Sequence, residues 1–164
     1  MKDLLDKLSS YNIINYLLPG VVFVALCESL TTFSFVQKDI VLGAFLYYFI
    51  GLVISRIGSL IIEPSFKYIK LVQYAKYENF VTAANEDDKL EVLSEVNNMY
   101  RTFCSLFLVI SLIKVYEKIS SYFPGLFIWN TEILIVFFLI LFCLSYRKQT
   151  EYITKRVNKL TSQR

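Results

Sequence analysis

The chain has 164 residues, of which 55% are hydrophobic and 16% aromatic, and its formal net charge is +3. A soluble domain of this length has too little interior to bury so much apolar surface. Only 19% of the residues are charged, and they cluster between long apolar runs, as is typical of a membrane protein with several spans.

Four apolar runs predict an all-α fold, a polytopic membrane protein with four transmembrane helices. Each run has about the 17 to 25 residues that a helix needs to cross the hydrocarbon core. The predicted spans are residues 17–36, 40–62, 102–119 and 126–146.

The basic residues predict the orientation of these spans. Of the 17 Lys and Arg residues, only Lys38, Lys114 and Lys118 lie near the two short connections between spans. The positive-inside rule therefore predicts that both termini and the central segment, 65–100, lie in the cytoplasm.

The N-terminal segment, 1–16, places Leu4, Leu5 and Leu8 near one helical face. This pattern predicts a helix that lies in the membrane surface ahead of the first span. Pro19 suits the first turn of that span, where its missing N–H has no helical acceptor.

Small residues recur along one side of the second span, a spacing that lets two helix backbones approach closely in lipid. We therefore expect this side to be a helix-packing seam. Its members are Gly43, Gly51, Ser55, Gly58 and Ser59.

We expect Glu28, Arg56, Glu63 and Lys114 to be buried charges in or beside the predicted spans. A charge there costs at least ~2.5–3.5 kcal/mol at mid-depth and normally faces protein or water. Arg56 lies beside the seam, so we expect it to face other helices and to pair with Glu63 or with an acid on another helix or subunit. Snorkelling to the surface is the alternative. Glu28 and Lys114 are expected at one depth, as a helix staple, as a proton or ion relay, or as a pH-sensitive or voltage-sensitive latch.

The central segment, 65–100, is predicted to be a cytoplasmic helical hairpin. Its first arm, 66–77, interleaves Lys and Tyr with aliphatic residues, as headgroup-level helices do. Asn85 is expected to end the first arm, and Asp88 with Glu91 to cap the second. The acidic tip is either a solvated turn or a docking point for a cytoplasmic partner protein.

The C-terminal tail, 147–164, carries six Lys or Arg residues against one Glu, and we expect a basic helix. Its heptad spacing of Tyr146, Thr150, Ile153, Val157 and Leu160 would reinforce an oligomer; a plain basic flank is the alternative. Anionic headgroups or a partner protein are expected to contact Lys67, Lys70, Lys76, Arg147, Lys148, Lys155, Arg156 and Lys159.

No catalytic, cofactor or metal site is predicted. The chain has no histidine, which removes Ser-His and Cys-His couples, and its three cysteines are expected as separate packing residues inside spans. Nucleic-acid binding is not expected, because no aromatic stacking platform accompanies the basic charge.

Three stretches carry a resemblance: LSSYNIINYLLPG, SRIGSLIIEP and SEVNNMYR. Together they resemble small bacterial four-span inner-membrane proteins, and similar proteins serve as membrane subunits of anti-phage systems, both Kiwa-type and nucleotide-signalled. The resemblance covers most of the chain and brings no catalytic residue. It implies a homo-oligomeric sensor or effector that perturbs the membrane or recruits a cytoplasmic partner. Two other functions remain open: a small channel or transporter using Glu28 and Lys114, and a passive membrane scaffold.

Overall fold

The structure, a computed structural model, describes residues 13–161 apart from the Ile14 side chain. The regular secondary structure of this part of the chain is all helical, without strands. The all-α prediction is thus confirmed for it. The predicted surface helix over 1–16 lies almost wholly outside the described residues, and so do the last three residues of the tail.

The first helix opens with a π-helical turn, Ile13–Leu17, and continues as α1, Leu18–Leu30. The first span was predicted to reach residue 36, and the structure corrects that boundary. The Thr31 hydroxyl donates to the Cys27 carbonyl at 2.8 Å and accepts from the Phe33 N–H at 3.1 Å. A side chain that bonds the local backbone in this way competes with the next helical turn.

The second helix begins at Ile40, as predicted, because the Asp39 side chain accepts from the Leu42 N–H at 2.9 Å and caps it. Helix α2, Ile40–Ile57, runs through a π-helical turn, Gly58–Ile62, into α3, Glu63–Tyr68. These three pieces form one rod, which we call the α2–α3 rod.

The predicted surface helix over 66–77 is wrong beyond Tyr68. The Leu71 N–H bonds the Phe66 carbonyl, the Lys70 N–H bonds the Lys67 carbonyl, and Lys70 has a φ of 59°. This is a Schellman closure, with lysine at the left-handed position that glycine usually takes. The following residues are irregular up to α4, Tyr77–Ala84.

Two long helices complete the chain: α5, Lys89–Tyr122, and α6, Asn130–Thr161, joined through a 3₁₀ turn, Pro124–Trp129. Helix α5 thus fuses the second hairpin arm with the predicted third span, and α6 fuses the fourth span with the tail. Asn85 follows the last residue of α4, as predicted. At the start of α5, however, it is the Asp87 carboxylate that accepts from the Lys89 N–H, at 3.0 Å, and Asp88 makes no capping bond.

The buried core brings together one side each of α1, α2 and α5, through Phe23, Val24, Cys27, Ile54, Leu106 and Ile110. Within this core α1 and α2 approach closely at two glycines. A Cβ on Gly20 would lie 1.7 Å from the Tyr47 carbonyl oxygen, and a Cβ on Gly51 would lie 1.7 Å from the Tyr16 carbonyl oxygen. Only glycine permits this separation of the two backbones.

Helix α6 packs much less. Leu141 joins Val53 and Ile57 in a small second cluster, and Leu141 and Ser145 are the buried residues of this helix. In the described residues, two helical stretches are long and apolar enough to cross a membrane, Ile40–Tyr68 and Pro124–Thr161. The stretch Asn15–Leu30 is apolar but shorter, and the predicted third span contains three charged residues.

Candidate functional site: a buried glutamate where three helices meet

The best-defined polar feature of the described chain is a buried carboxylate surrounded by three cations. Glu63 is 6% exposed. Its Oε1 lies 2.7 Å from the Lys67 ammonium, and its Oε2 lies 2.9 Å from Arg101 Nη1 and 3.3 Å from the Lys148 ammonium. We call Glu63, Lys67, Arg101 and Lys148 the Glu63 cluster.

The Glu63 cluster joins three helices that are distant in sequence. Glu63 and Lys67 belong to α3, Arg101 to α5 and Lys148 to α6. Charge-assisted hydrogen bonds are about twice as strong as neutral ones. In a buried pair the loss of one partner is costly, since the other charge stays buried without compensation. The cluster therefore holds α3, α5 and α6 together at the point where they meet.

The π-helical turn prepares this junction. The Glu63 N–H donates to the Gly58 carbonyl, five residues back, and Pro64 has no N–H. The Ser59 carbonyl is therefore deprived of the donors that residues 63 and 64 would supply in a regular helix. The Lys148 ammonium donates to this carbonyl at 2.6 Å, so one lysine serves both the irregular backbone and the buried carboxylate.

An open groove of about 550 Å³ lies beside the Glu63 cluster, between the α2–α3 rod and α6. Arg147 and Glu151 form an exposed ion pair on its rim, with 3.2 Å between Nε and Oε1. The groove is lined by Ser59, Leu60, Glu63, Pro64, Lys67, Leu144, Arg147, Lys148, Glu151, Tyr152 and Lys155.

The structure does not pair Arg56 with Glu63, as one sequence interpretation had it. Arg56 is partly buried in α2 and forms no ion pair with any described residue. The Glu63 oxygens bind cations from α3, α5 and α6 instead. Arg101 and Lys148 come from neighbouring helices because the carboxylate lies where α3, α5 and α6 meet.

The expected pair of Glu28 and Lys114 is not formed either. Glu28 is exposed, with no ion pair among the described residues, and Lys114 instead bonds Glu117, one turn along α5, at 3.1 Å. Glu117 also accepts from the Thr32 backbone N–H and, at 2.7 Å, from the Thr32 hydroxyl. Where Glu28 and Lys114 were expected to pair, the link to α5 is therefore made by Thr32 and Glu117, just beyond the end of α1.

The small residues of the predicted seam face different surroundings. Gly51 contacts α1, whereas a Cβ on Gly58 would lie 3.2 Å from the Arg101 carbonyl oxygen of α5. Ser55 and Ser59 are buried. A Cβ on Gly43 would meet ordinary contacts, the nearest at 3.5 Å to Gln37, so Gly43 makes no close helix approach.

The predicted headgroup-contact residues divide into two groups. Lys67 and Lys148 turn toward Glu63, and Lys159 donates to the Glu78 carbonyl and, at 2.6 Å, to the Thr82 hydroxyl of α4. Lys148 also donates to the Ser59 carbonyl, so it makes two bonds to protein acceptors. Lys67 nevertheless stays exposed, and so do the remaining members, Lys70, Lys76, Arg147, Lys155 and Arg156.

Sequence reasoning missed Arg101 and Glu117. A signal for Arg101 exists, because it lies at the start of the predicted third span just as Glu63 lies at the end of the second. Consecutive antiparallel spans bring such ends to the same membrane face. Glu117 had no comparable signal, since its partner Thr32 lies in a loop that was predicted to be helical.

No group of three or more His, Cys, Asp or Glu side chains that could hold a metal ion occurs within residues 13–161. No protein-family model matches this chain, and neither curated proteins nor solved structures match it.

Proposed function

We propose that the chain is a non-enzymatic inner-membrane protein whose α1, α2–α3 rod, α5 and α6 cross the bilayer, with both termini in the cytoplasm. We further propose that it forms a homo-oligomer and works as the membrane-sensing or membrane-perturbing component of an anti-phage defence system, together with a cytoplasmic partner. The defence role draws on the sequence resemblance described above.

One observation carries the membrane placement. The stretch from Arg101 to Tyr122 in α5 and the stretch from Asn130 to Lys148 in α6 are each about 30 Å long at 1.5 Å per residue. One end of each stretch, Arg101 or Lys148, belongs to the Glu63 cluster. The opposite ends lie beside the exposed aromatic residues Tyr122, Phe123 and Trp129. This separation matches the hydrocarbon thickness, with aromatic residues where interfacial belts occur.

The exposed surface of α6 supports the same placement. Its apolar residues from Ile133 to Phe137 are each at least 39% exposed. In water such a surface would be a large apolar patch, which soluble monomers rarely expose. Acyl chains or a second copy would cover it in a membrane. Helix α1 with its π-helical turn is at the short end of the length a span needs.

The oligomer proposal is supported by the tail. The large apolar members of the heptad stripe, Tyr146, Ile153, Val157 and Leu160, are all more than half exposed. They therefore remain available to a second copy. The tail also lies against α4 through Lys159, so the hairpin and tail form one surface on which a cytoplasmic partner would dock.

The channel or transporter alternative has less support, because the two residues on which it was based are not paired within the described chain. A passive scaffold would share the Glu63 cluster and the helix packing. It differs from the proposed function in one measurable respect, since a scaffold leaves the membrane potential unchanged.

Reporter fusions after Asp88 and after Gly125 test the topology. The proposed defence role is tested in cells that carry the natural gene partner: they are challenged with phage while a dye reports their membrane potential. We expect the Asp88 fusion to be cytoplasmic, the Gly125 fusion to be exported and the challenged cells to depolarise.

Ile153→Glu, in the heptad stripe, should abolish the oligomer and depolarisation, whereas Thr154→Glu beside it should preserve both. Steady potential in challenged wild-type cells would reject the perturbing role, and an exported Asp88 fusion would reject the topology.

A further inference from the structure

We propose that the groove beside the Glu63 cluster is a binding site for a phosphate group. Three cations of the cluster face a single carboxylate, and Arg147 and Glu151 compensate each other on the rim. Lys155 adds a further positive charge to the groove lining. Glu63 and Lys67 cancel on the α3 side of the groove, so the net positive charge that an entering anion meets comes from the α6 side, through Lys148 and Lys155.

The hydrogen-bonding capacity of the groove leads to the same ligand. An ammonium group has three donors. Lys67 uses one on Glu63, and Lys148 uses two, on Glu63 and on the Ser59 carbonyl. Lys155 makes no hydrogen bond or ion pair with the described residues, and its ammonium lies 6.0 Å from the Tyr152 ring centre. A phosphate group supplies several acceptor oxygens to the donors that line the groove, in charge-assisted bonds.

The walls of the groove indicate the source of the phosphate. Leu60, Pro64 and Leu144 give it an apolar side, next to the stretches that are apolar enough to cross a membrane. A lipid fits both sides at once, with its headgroup phosphate among the lysines and an acyl chain along the apolar side. The lipid source rests on the membrane placement proposed above, whereas a free phosphate would need only the cationic side.

The full chain, purified in a neutral detergent, tests the proposal by calorimetry and native mass spectrometry. The probes are dioctanoyl phosphatidic acid, dioctanoylglycerol as the same lipid without phosphate, and inorganic phosphate. We expect phosphatidic acid to bind and dioctanoylglycerol not to bind. Lys155→Gln should weaken phosphatidic acid binding roughly tenfold, the value of one charged hydrogen bond. Arg156→Gln removes the same charge one residue away, outside the groove lining, and should change the affinity less than about twofold.

The outcomes separate the two sources and the two proposals. If inorganic phosphate binds with the same dependence on Lys155, and as tightly as phosphatidic acid, the ligand is a free phosphate. If neither phosphate probe binds, or if both variants weaken binding equally, the site proposal is overturned while the membrane function stands. A chain that stays in solution without detergent would overturn the membrane placement, and the inorganic phosphate titration would still decide the site.

Discussion

At the scale of single residues, Glu63 determines more of the structure than any other charge in the described chain. Its carboxylate binds one cation from its own helix and one from each of two others. Burial makes these contacts matter, because the charge has little access to water that would compensate a lost partner. The exposed pair of Arg147 and Glu151 lines the same groove and provides an internal comparison.

Glu63→Gln should destabilise the protein by roughly 3 kcal/mol or more, since three cations would then converge on a neutral group. Thermal unfolding in detergent, followed by circular dichroism, measures the change. The control is Glu151→Gln, whose side chain is 54% exposed and whose loss should cost at most about 0.5 kcal/mol. Equal shifts for the two variants would show that the Glu63 cluster does not hold the helices together.

At the scale of helices, the packing of α1 on α2 depends on two glycines whose partners are backbone atoms. A backbone carbonyl cannot rotate out of the way as a flexible side chain can. The regular spacing of small residues in the second span indicated a packing seam, but spacing alone could not say which neighbour each residue would meet. The structure divides them, with Gly51 against α1, Gly58 against α5 and Gly43 against neither.

Gly51→Ala should destabilise the protein by about 2 kcal/mol, because the new Cβ would lie 1.7 Å from the Tyr16 carbonyl oxygen and force the helices apart. Helix propensity alone predicts the opposite sign, a gain of roughly 1 kcal/mol. Gly43→Ala is the matched control in the same helix, where the nearest atom is 3.5 Å away, and it should be neutral or slightly stabilising. Chemical or thermal unfolding of both variants decides between the two signs.

At the scale of the whole molecule, the described chain buries one side of α1, α2 and α5 and leaves most of α6 uncovered. Such an arrangement is unusual for a chain in water, but it is expected where acyl chains or further copies cover the remaining apolar surface. Whether lipid surrounds α6 is therefore the most direct test of the proposed membrane placement.

The Val136→Lys variant tests whether lipid surrounds α6, since Val136 is 53% exposed and lies near the middle of the apolar part of this helix. In a bilayer the substitution should cost about 3 kcal/mol of insertion free energy, and carbonate extraction should recover less of the chain in the membrane fraction. Gln149→Lys, beyond the apolar stretch of the same helix, should behave as wild type. Full membrane recovery of Val136→Lys would mean that water or protein, not lipid, surrounds this side of α6.

The sequence by itself determined the helical class, the start of the second helix at Ile40 and the long apolar stretch of α6. Each of these depends on neighbours within a few turns: composition, a capping Asp39 and an uninterrupted apolar run. The Thr31 hydroxyl bonds and the Schellman closure at Lys70 are also local. The predicted boundaries missed both helix ends, because neither is marked by the glycine or proline that usually signals one.

Only the tertiary structure decided the partners. Glu63 binds Arg101 and Lys148, which lie 38 and 85 residues further along the chain, and Thr32 bonds Glu117 across a similar separation. Depth along a helix can be counted from a sequence, but the rotation of each helix about its axis is set by how α1, α2, α5 and α6 pack together. Because that rotation selects which charges face one another, Glu63 rather than Arg56 became the centre of the buried network.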